Sequence, residues 1–422
     1  MKVFKFGGAS IKDAASIRNI VNIIRGFGDL PLLIVVSAMG KTTNALERVF
    51  EVYQKTHQAA SPDFEGIRDY HLTVMRDLFP EDHTVFGAID QTFERALLTL
   101  SEQHPEDTAY DQFIAFGELL SSMIVHQYLR LEGLPSTWMD ARNFISTDDN
   151  YRDGKVDWEL TAKKVRSLAS VLEKKIIITQ GFIGKSPAGL TTTLGREGSD
   201  FSAAIFASVL NAESVTIWKD VPGVMSADPK RLPDPVVFEE LPYQEAAEMT
   251  YYGASVIHPK TIKPLANHGV PLWVKSFDNP ALPGTIIHKC KIPDLPPLIV
   301  FKENQCLVSC KVTDYTFINE EQLGMIFRSL SSLDIRINVM QNSAISFSFC
   351  IDFRENKLTR LVQELRNNFE VYYNAGLTLI TVKNYDAKSF EKYRKTRGIL
   401  LEQFSRSTLQ VLVKSQRFVP IR

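Results

Sequence analysis

A repeated unit dominates the first two-thirds of this chain: a short apolar strand, a glycine-bearing turn, then an amphipathic helix. Such alternation commits a chain to an α/β fold, because each strand returns to a common sheet through a helix that must cover it. The first unit is Lys2–Phe6, then Gly7-Gly8, then a helix whose Ala14, Ile17, Ile20, Val21 and Ile24 keep to one face. Ser10 with Asp13 three residues on reads as the cap of that helix. A second unit runs through Leu32–Val36, Ser37-Ala38-Met39-Gly40 and a helix from about Asn44, and later units open at Lys175–Thr179 and Val215–Trp218. These strands are near-continuous Val, Ile and Leu. That predicts a mostly parallel central sheet covered on both faces, a three-layer α/β/α sandwich. Ligands of such sheets bind beyond the carboxyl ends of the strands, where these glycines cluster.

Residues from about Asp63 to His104 are polar and helix-like and carry no chemical motif, so they read as a helical excursion. Asn279-Pro280-Ala281-Leu282-Pro283-Gly284 and then Pro293, Pro296 and Pro297 break the pattern, which places a linker there. The expected domains are 1–290 and 300–422, in keeping with usual domain sizes. Beyond the linker the order becomes strand (Leu307–Val312), helix (Glu320–Ser332), strands (Ile335–Met340 and Ala344–Ile351), helix (Lys357–Asn367) and strands (Val371–Tyr373 and Thr378–Val382). This is a small α+β module, read as two partly related copies of which the second is short.

A formal net charge of -1 gives no electrostatic ground for a nucleic-acid or anionic-membrane partner. The N-terminus lacks the apolar run of a signal peptide and no other stretch approaches bilayer-spanning length, so the expected location is cytoplasmic. Cys290, Cys306, Cys310 and Cys350 form no CxxC pair and read as reduced thiols, and the eight histidines show no metal-site spacing. No bound transition metal is expected.

Lys5-Phe6-Gly7-Gly8-Ala9-Ser10 places a lysine at a strand end, two glycines in the turn and a helix start after them. Glycines let backbone N–H groups approach an anion, and a helix N-terminus adds favourable potential, so this reads as a phosphate cradle with Lys5 at the transferring group. A plain strand-to-helix turn with a solvated lysine is the alternative. Gly40-Lys41-Thr42 is not a P-loop, because that motif needs a glycine where Val35 stands. Ser37, Thr43 and Asn44 instead offer polar groups for a small substrate, or cap a helix. Glu118, on an apolar helix with Ser121 and Ser122, needs a partner if buried, and a ligand amino group or an intraprotein hydrogen bond or ion pair would each serve.

The densest signal is Thr191-Thr192-Thr193-Leu194-Gly195-Arg196-Glu197-Gly198-Ser199-Asp200-Phe201-Ser202, a glycine-flanked turn leading to a helix over Ala203–Leu210. Arg196 has the fork geometry that suits a carboxylate, and Asp200 could align Lys5 with a metal-bound nucleotide. An Asp N-cap and a surface arginine explain the helix start but not the glycines and threonines. Trp218-Lys219-Asp220-Val221-Pro222-Gly223-Val224-Met225 and Ser226-Ala227-Asp228-Pro229-Lys230 then form a strand and a turn-rich loop suited to a base and ribose.

Taken in order, Lys5–Ser10, Gly195–Asp200, Trp218–Val224 and Tyr252-Gly253-Ala254-Ser255-Val256-Ile257-His258-Pro259 resemble the aspartate kinases of the amino-acid kinase superfamily. The resemblance covers about residues 1–290, and more loosely 300–422 as an ACT-type regulatory region. It implies transfer of the ATP γ-phosphoryl group to the β-carboxylate of L-aspartate, the first step towards lysine, threonine and methionine. The acceptor is already ionised at neutral pH, so no general base is required. Under the resemblance Lys5 stabilises the transferring phosphoryl and Gly7, Gly8 and Ser10 contact phosphates. Thr43, Glu118, Arg196 and Ser199 bind aspartate, with Glu118 on its amino group, and Asp200 organises the centre. Lys219, Asp220, Met225 and Lys230 lie at the nucleotide, with Mg²⁺ bridging phosphates.

Three positions depart from the commoner family pattern: Met225 for a tyrosine, Lys230 for an arginine, and Ser255 for a phosphate-contacting lysine. Lys260 and Lys275 are the candidates to replace the last. Asn338-Val339-Met340-Gln341-Asn342-Ser343-Ala344 carries Asn338 and Ala344 where lysine-sensitive relatives tend to show acids. Weak or no inhibition by lysine is therefore expected there, unless Asp314, Glu320 or Glu321 folds in. The C-terminal module is expected to make a homodimer or higher oligomer. Another carboxylate kinase of the superfamily, or an amino-acid-binding regulator without catalysis, remains as an alternative.

Overall fold

The computed structural model describes residues 1–28, 31–58, 61–254, 257–292, 294–313 and 316–414. It forms two compact units, one of residues 1–224, 237–247 and 256–291, the other of 225–236, 248–255 and 292 onward.

The first unit is laid out in chain order as β1 (Lys2–Phe6), α1 (Ala14–Phe27), β2 (Leu32–Val36), α2 (Thr42–Thr56), α3 (Pro62–Leu78), α4 (Val85–Leu100), α5 (Glu106–Ile114) and α6 (Phe116–Leu131). There follow β3 (Ser136–Met139), α7 (Trp158–Arg166), α8 (Ala169–Leu172), β4 (Ile176–Gln180), β5 (Ile183–Lys185), β6 (Thr191–Thr193), α9 (Gly198–Val209) and β7 (Ser214–Lys219). It closes with β8 (Glu240–Pro242), α10 (Tyr243–Tyr251), α11 (Pro259–His268), β9 (Leu272–Ser276) and β10 (Thr285–His288). The sheet order is β3-β4-β2-β1-β7-β9-β10-β8, parallel throughout except for β9 against β10. Helix α9 packs on β1, β2 and β7 with α7 and α11 against it, while α6 covers β2, β3 and β4 with α1 and α4 against it. The expected three-layer sandwich is what these contacts build.

The central strands carry no polar face because helices cover both sides, and all five residues of β2 are buried. Phe6 stacks on Trp218 at 6.2 Å, Phe4 meets the same ring edge-on at 5.7 Å, and Phe277 meets Phe6 at 6.0 Å. Rings of this size each contribute on the order of 1.5–3 kcal/mol by burial. This aromatic cluster fixes β1 against β7 directly beneath the glycine turn.

Several local expectations are corrected. Asp13, not Ser10, caps α1, accepting from the Ser16 amide at 2.7 Å. A 3-10 turn over Gly8–Ile11 separates the glycines from the helix, and the Ser10 hydroxyl is turned to the Trp218 carbonyl at 3.4 Å. Helix α2 begins at Thr42 and α9 at Gly198, each earlier than its apolar periodicity shows. Asn279–Gly284 is not a linker but the turn between β9 and β10, with Gly284 at φ +78°. The segment 63–104 is helical, as α3 and α4.

The second unit has β11 (Leu298–Lys311), α12 (Glu320–Ser332), β12 (Ile337–Asn342), β13 (Ser346–Asp352), α13 (Glu355–Leu365), β14 (Glu370–Lys383), α14 (Ala387–Arg394), β15 (Ile399–Phe404) and β16 (Thr408–Lys414). Its sheet runs β12-β13-β11-β14-β16-β15, every pair antiparallel. Val371–Tyr373 and Thr378–Val382, expected as two strands, are parts of the single 14-residue β14. It pairs with the equally long β11, and register shifts near Lys302–Leu307 divide that ladder into two halves. Phe349, Leu361 and Ile326 anchor one core beside α12 and α13, and Ile380, Leu409 and Tyr393 anchor another beside α14. The two halves of this sheet therefore share their two longest strands, and the half beside α14 has one helix among the described residues.

At Gly8 the chain comes closest to itself. A Cβ there would stand 2.6 Å from the Gly40 carbonyl oxygen and 2.8 Å from that of Ala38, both backbone atoms that cannot swing aside. Gly8→Ala is expected to lower stability by about 1–3 kcal/mol through this overpacking. Gly26→Ala, where the added methyl meets nothing within 4 Å on helix α1, should be neutral or stabilising. Thermal denaturation of the two variants side by side checks the contrast.

Candidate active site

The parallel register sets Lys5 opposite Ile217, so Lys219, two residues further along β7, lies on the same face as Lys5. Both strands end at α9, whose first turn carries Asp200. Lys5 Nζ lies 2.6 Å from one Asp200 carboxylate oxygen and Lys219 Nζ 3.7 Å from the other. Burial opposes ionisation of Asp200, but the two ammonium groups outweigh it and hold the carboxyl below the usual range. The trio sets two basic side chains against one carboxylate, with Lys5 and Asp200 nearly out of water.

Approach of α9 to the sheet depends on Gly181, after β4. A Cβ at that position would lie 2.4 Å from the Ser199 Cβ. Glu197 takes a left-handed conformation, φ +54°, to start the helix, and one of its carboxylate oxygens is buried without a hydrogen-bond partner.

A cavity of about 530 Å³ opens over these groups. Lys5, Gly8, Thr43, Glu118, Arg196, Ser199, Asp200 and Lys219 line it. So do Ser37 from the turn after β2 and Thr193 from β6. Gly7, Ser10 and Asp220 are not among its lining residues. Met225 and Lys230 belong to the second unit, where Lys230 is exposed and its amide donates to Asp228 at 2.9 Å. Ser255 lies outside the described residues. Of its two candidate substitutes, Lys260 pairs with Asp153, and Lys275 stands 5.9 Å from the centre of the Trp218 ring.

Glu118 is the unusual member. It is only 2% exposed, and one carboxylate oxygen accepts from the Ala38 amide at 3.2 Å while the other has no partner. Burial raises its carboxyl to about 8, against the opposing pull of the Ala38 hydrogen bond and the Lys5 charge. Of the intraprotein alternatives to a ligand amino group, the hydrogen bond is present, from Ala38, and no ion pair is found among the described residues, so one oxygen of this cavity-lining carboxyl is left without a partner. Ser121 and Ser122 do not compensate it: Ser121 donates to the Ser37 carbonyl at 2.6 Å, and Ser122 accepts from Trp138 at 2.9 Å and Gln180 at 2.8 Å.

Glu47, Tyr110, Arg152 and Phe182 also line the cavity and belong to none of the sequence motifs. Tyr110 donates to Glu47 at 2.6 Å, and the Arg152 guanidinium lies 4.1 Å from the Tyr110 ring centre while pairing with Asp107 at 2.5 Å. Arg152 is itself left-handed, φ +65°. Buried Asp111 fixes it by accepting from its amide at 2.9 Å, and accepts from the Thr193 amide and hydroxyl at 2.8 Å each.

Residues 1–276 match the model of the amino acid kinase family. Aspartokinase 2 of Arabidopsis thaliana is 30% identical over 397 residues, covering 86% of this chain and 70% of that protein. The chain belongs to the aspartokinases of the amino acid kinase family. The bifunctional aspartokinase/homoserine dehydrogenase 2 of the same plant is 31% identical over 402 residues, and this chain spans only 42% of its length. The structure of E. coli aspartokinase III in complex with aspartate and ADP superposes with a TM-score of 0.84 at 26% identity, covering 98% of this chain and 96% of that one. No helix among the described residues is long and apolar enough to cross a membrane.

In the second unit of this aspartokinase-family chain, Asn338 does not stand alone among amides as its sequence neighbours led one to expect. Its side chain donates to Asp352 at 2.9 Å and to Gln305 at 2.6 Å, and accepts from Lys302 at 2.7 Å. Lys302 also pairs with Asp352 at 2.9 Å. A carboxylate is present, supplied by β13, and the chain's own ammonium already engages it. Asp314 lies outside the described residues.

Glu118 holds in the folded chain a proton that the unfolded chain releases near 4.5. Its contribution to stability is therefore full below about pH 4.5 and is lost as pH rises through about 8. Glu118→Gln cannot ionise, so its melting temperature relative to the parent should climb between those limits and level off above them. Parallel melting curves across that range measure the difference; a flat difference would mean the group is ordinary.

Proposed function

We propose that this chain transfers the γ-phosphoryl group of ATP to the β-carboxylate of L-aspartate, giving 4-phospho-L-aspartate and ADP. The observation that carries the reading is the unsatisfied Glu118 carboxylate in the same cavity as Lys5, Asp200 and Lys219. A free α-ammonium group supplies a charged donor for that oxygen, whereas an N-acylated substrate offers only a neutral amide N–H. That favours a free amino acid over the N-acetylglutamate type of acceptor. The E. coli relative's structure with aspartate and ADP supports the same assignment.

Thr43 and Ser199 offer hydroxyls to the same cavity as Glu118, and Arg196 offers a fork to a carboxylate. The acceptor oxygen, ionised already, attacks the γ-phosphorus; the bond to the β,γ-bridging oxygen breaks, and its electrons leave with ADP. Lys5 and Lys219 offset the charge on the equatorial oxygens, and Asp200 keeps both ammonium groups aimed into the site. Gly7, Gly8 and Ser10 lie at the phosphate turn, with Asp220, Met225 and Lys230 assigned to the nucleotide. The donor set also suits Mg²⁺: Asp200 and Glu197, one oxygen of which has no partner, are carboxylates lining the cavity, and such an ion would be held mainly by substrate phosphates. Bound there, it would neutralise phosphate charge.

Residues 1–290 are read as the catalytic domain, although 225–236 and 248–255 group with the second unit, and 300–422 as an ACT-type regulatory region, in a protein of the cytoplasm. A lysine effector would have to displace Lys302 from Asp352 and Asn338, which supports a weak response to lysine. An ADP-release assay over free and N-acylated amino acids, with and without lysine, tests substrate and effector together. Turnover on aspartate alone is expected; turnover only on an N-acyl acid would overturn the reading.

Lys5→Ala should lower kcat roughly a hundred- to thousandfold while leaving aspartate binding nearly intact. Arg196→Ala should raise the KM for aspartate roughly ten- to hundredfold with little change for ATP. Steady-state kinetics with each substrate varied in turn separates the two roles, provided a melting curve shows both variants folded.

Phe317, Tyr372 and Tyr373 of the second unit are 74%, 56% and 51% exposed, and Met340 on the edge strand β12 is 48% exposed. An uncovered sheet edge with apolar neighbours is a surface that association would cover. Sedimentation velocity at micromolar concentration is expected to show a homodimer or larger species, and a monomer would count against that assignment.

A further inference from the structure

We propose that Glu240, His288 and Cys290 form a binding site for a divalent transition metal, with Zn²⁺ as the chemically best-matched ion. Strands β8 and β10 are parallel neighbours at the edge of the kinase-family sheet, and Glu240 stands opposite Ile286. Side chains alternate along a strand, so His288 projects on the same side as Ile286 and Glu240, and Cys290, two residues past the strand end and beyond a bend at Lys289, comes back to the same pair. That side is the more open face of β10, whose Thr285 and Ile287 are the buried pair.

The three groups already converge. His288 Nε2 lies 2.9 Å from a Glu240 oxygen, and the Cys290 sulfur stands within 4.8 Å of both groups. One ligand atom from each falls within 4.8 Å of the other two, and among the described residues no other group of three such side chains does so. Tetrahedral zinc binds nitrogen, oxygen and sulfur at roughly 2.0–2.3 Å, which sets ligand atoms a little closer together than this. The closing movement is small, and Cys290 lies beyond the last paired residue of β10, where the backbone is not held by a ladder.

The donor types select the ion. A thiolate with an imidazole disfavours Mg²⁺ and Ca²⁺, which take oxygen ligands, and suits Zn²⁺ or Co²⁺. Three protein ligands leave a fourth position for water or an exogenous group. The ion would tie the three-residue edge strand β8 to β10, which is otherwise held by a short ladder. The eight histidines gave no sign of this site in sequence, because its ligands are one His-x-Cys pair and a glutamate 48 residues upstream of the histidine. It is separate from the cavity over Lys5 and Asp200, none of whose lining residues it shares.

Co²⁺ titration of the full chain, purified reduced and metal-free, tests the assignment. A thiolate-to-cobalt charge-transfer band is expected to saturate at one ion per chain and to be abolished by Zn²⁺. Cys290→Ser should remove the band, and His288→Ala and Glu240→Gln should each weaken binding at least about tenfold. Melting temperature should rise with Zn²⁺ in the parent and not in Cys290→Ser. No band, a band that survives Cys290→Ser, or one indifferent to both His288→Ala and Glu240→Gln would overturn the site. Because all three positions lie outside the proposed catalytic cavity, a failure here leaves the phosphotransfer assignment standing.

Discussion

The pairing of Lys5 with Asp200 is the contact around which the first unit is arranged. Both side chains are nearly out of water, 10% and 4% exposed, and each ion withdrawn in this way costs several kcal/mol before any partner repays it. The cost is met only where sheet and helix bring opposite charges together without strain. That requirement explains otherwise unrelated features: β1 lies centrally between β2 and β7, Lys219 follows the register of Lys5, and α9 starts tightly against Gly181. Removing Asp200 would leave the Lys5 ammonium buried without its partner, a loss of about 3–5 kcal/mol, whereas removing Lys5 leaves Asp200 still paired with Lys219. The same positive surplus that holds Asp200 ionised is what a transferring phosphoryl group requires.

Much of this frame was legible in the sequence. β2 falls on the residues its unbroken apolar run marks, β1 on the expected Lys2–Phe6, and α12 on Glu320–Ser332, where Asn319 and Gln322 complete a capping box. Elements fully covered on both faces, or closed by their own side chains, announce their limits locally. The turn at Asn279–Gly284 did not, because proline and glycine punctuate a turn inside a sheet as readily as a linker between domains. β14 was split for a related reason. Asn374-Ala375-Gly376 interrupts its apolar period, yet the strand continues through Gly376 at φ +70° because β11 pairs on either side of the interruption.

The candidate site divides in the same way. Lys5, Arg196, Ser199, Asp200 and Lys219 come from glycine-flanked turns and strand ends, where spacing alone identifies unusual backbone. Glu47, Tyr110 and Arg152 come from α2, from α5 and from a polar loop, and nothing in their local sequence separates them from solvated surface. Only tertiary packing makes them neighbours. Asn338 shows the complementary failure: its own segment lacks an acid, and the carboxylate beside it arrives from β13.

Three features of the cavity each oppose stability: Glu118 buried with an unsatisfied oxygen, and Arg152 and Glu197 in left-handed conformations. A left-handed non-glycine residue costs on the order of 1–3 kcal/mol, and the buried carboxyl adds a desolvation penalty of similar size. Such features persist only where neighbours over-determine them. Asp111 does so for Arg152, holding its amide and Thr193 with one carboxylate, while the Ala38 amide holds one oxygen of Glu118. Their concentration around one cavity, in a sheet otherwise packed with apolar side chains, is the arrangement expected when polar groups are kept ready for a ligand. A substrate ammonium reaching Glu118 would turn its unfavourable burial into a charge-assisted hydrogen bond, so binding strength would come in part from relieving a cost the free protein already carries.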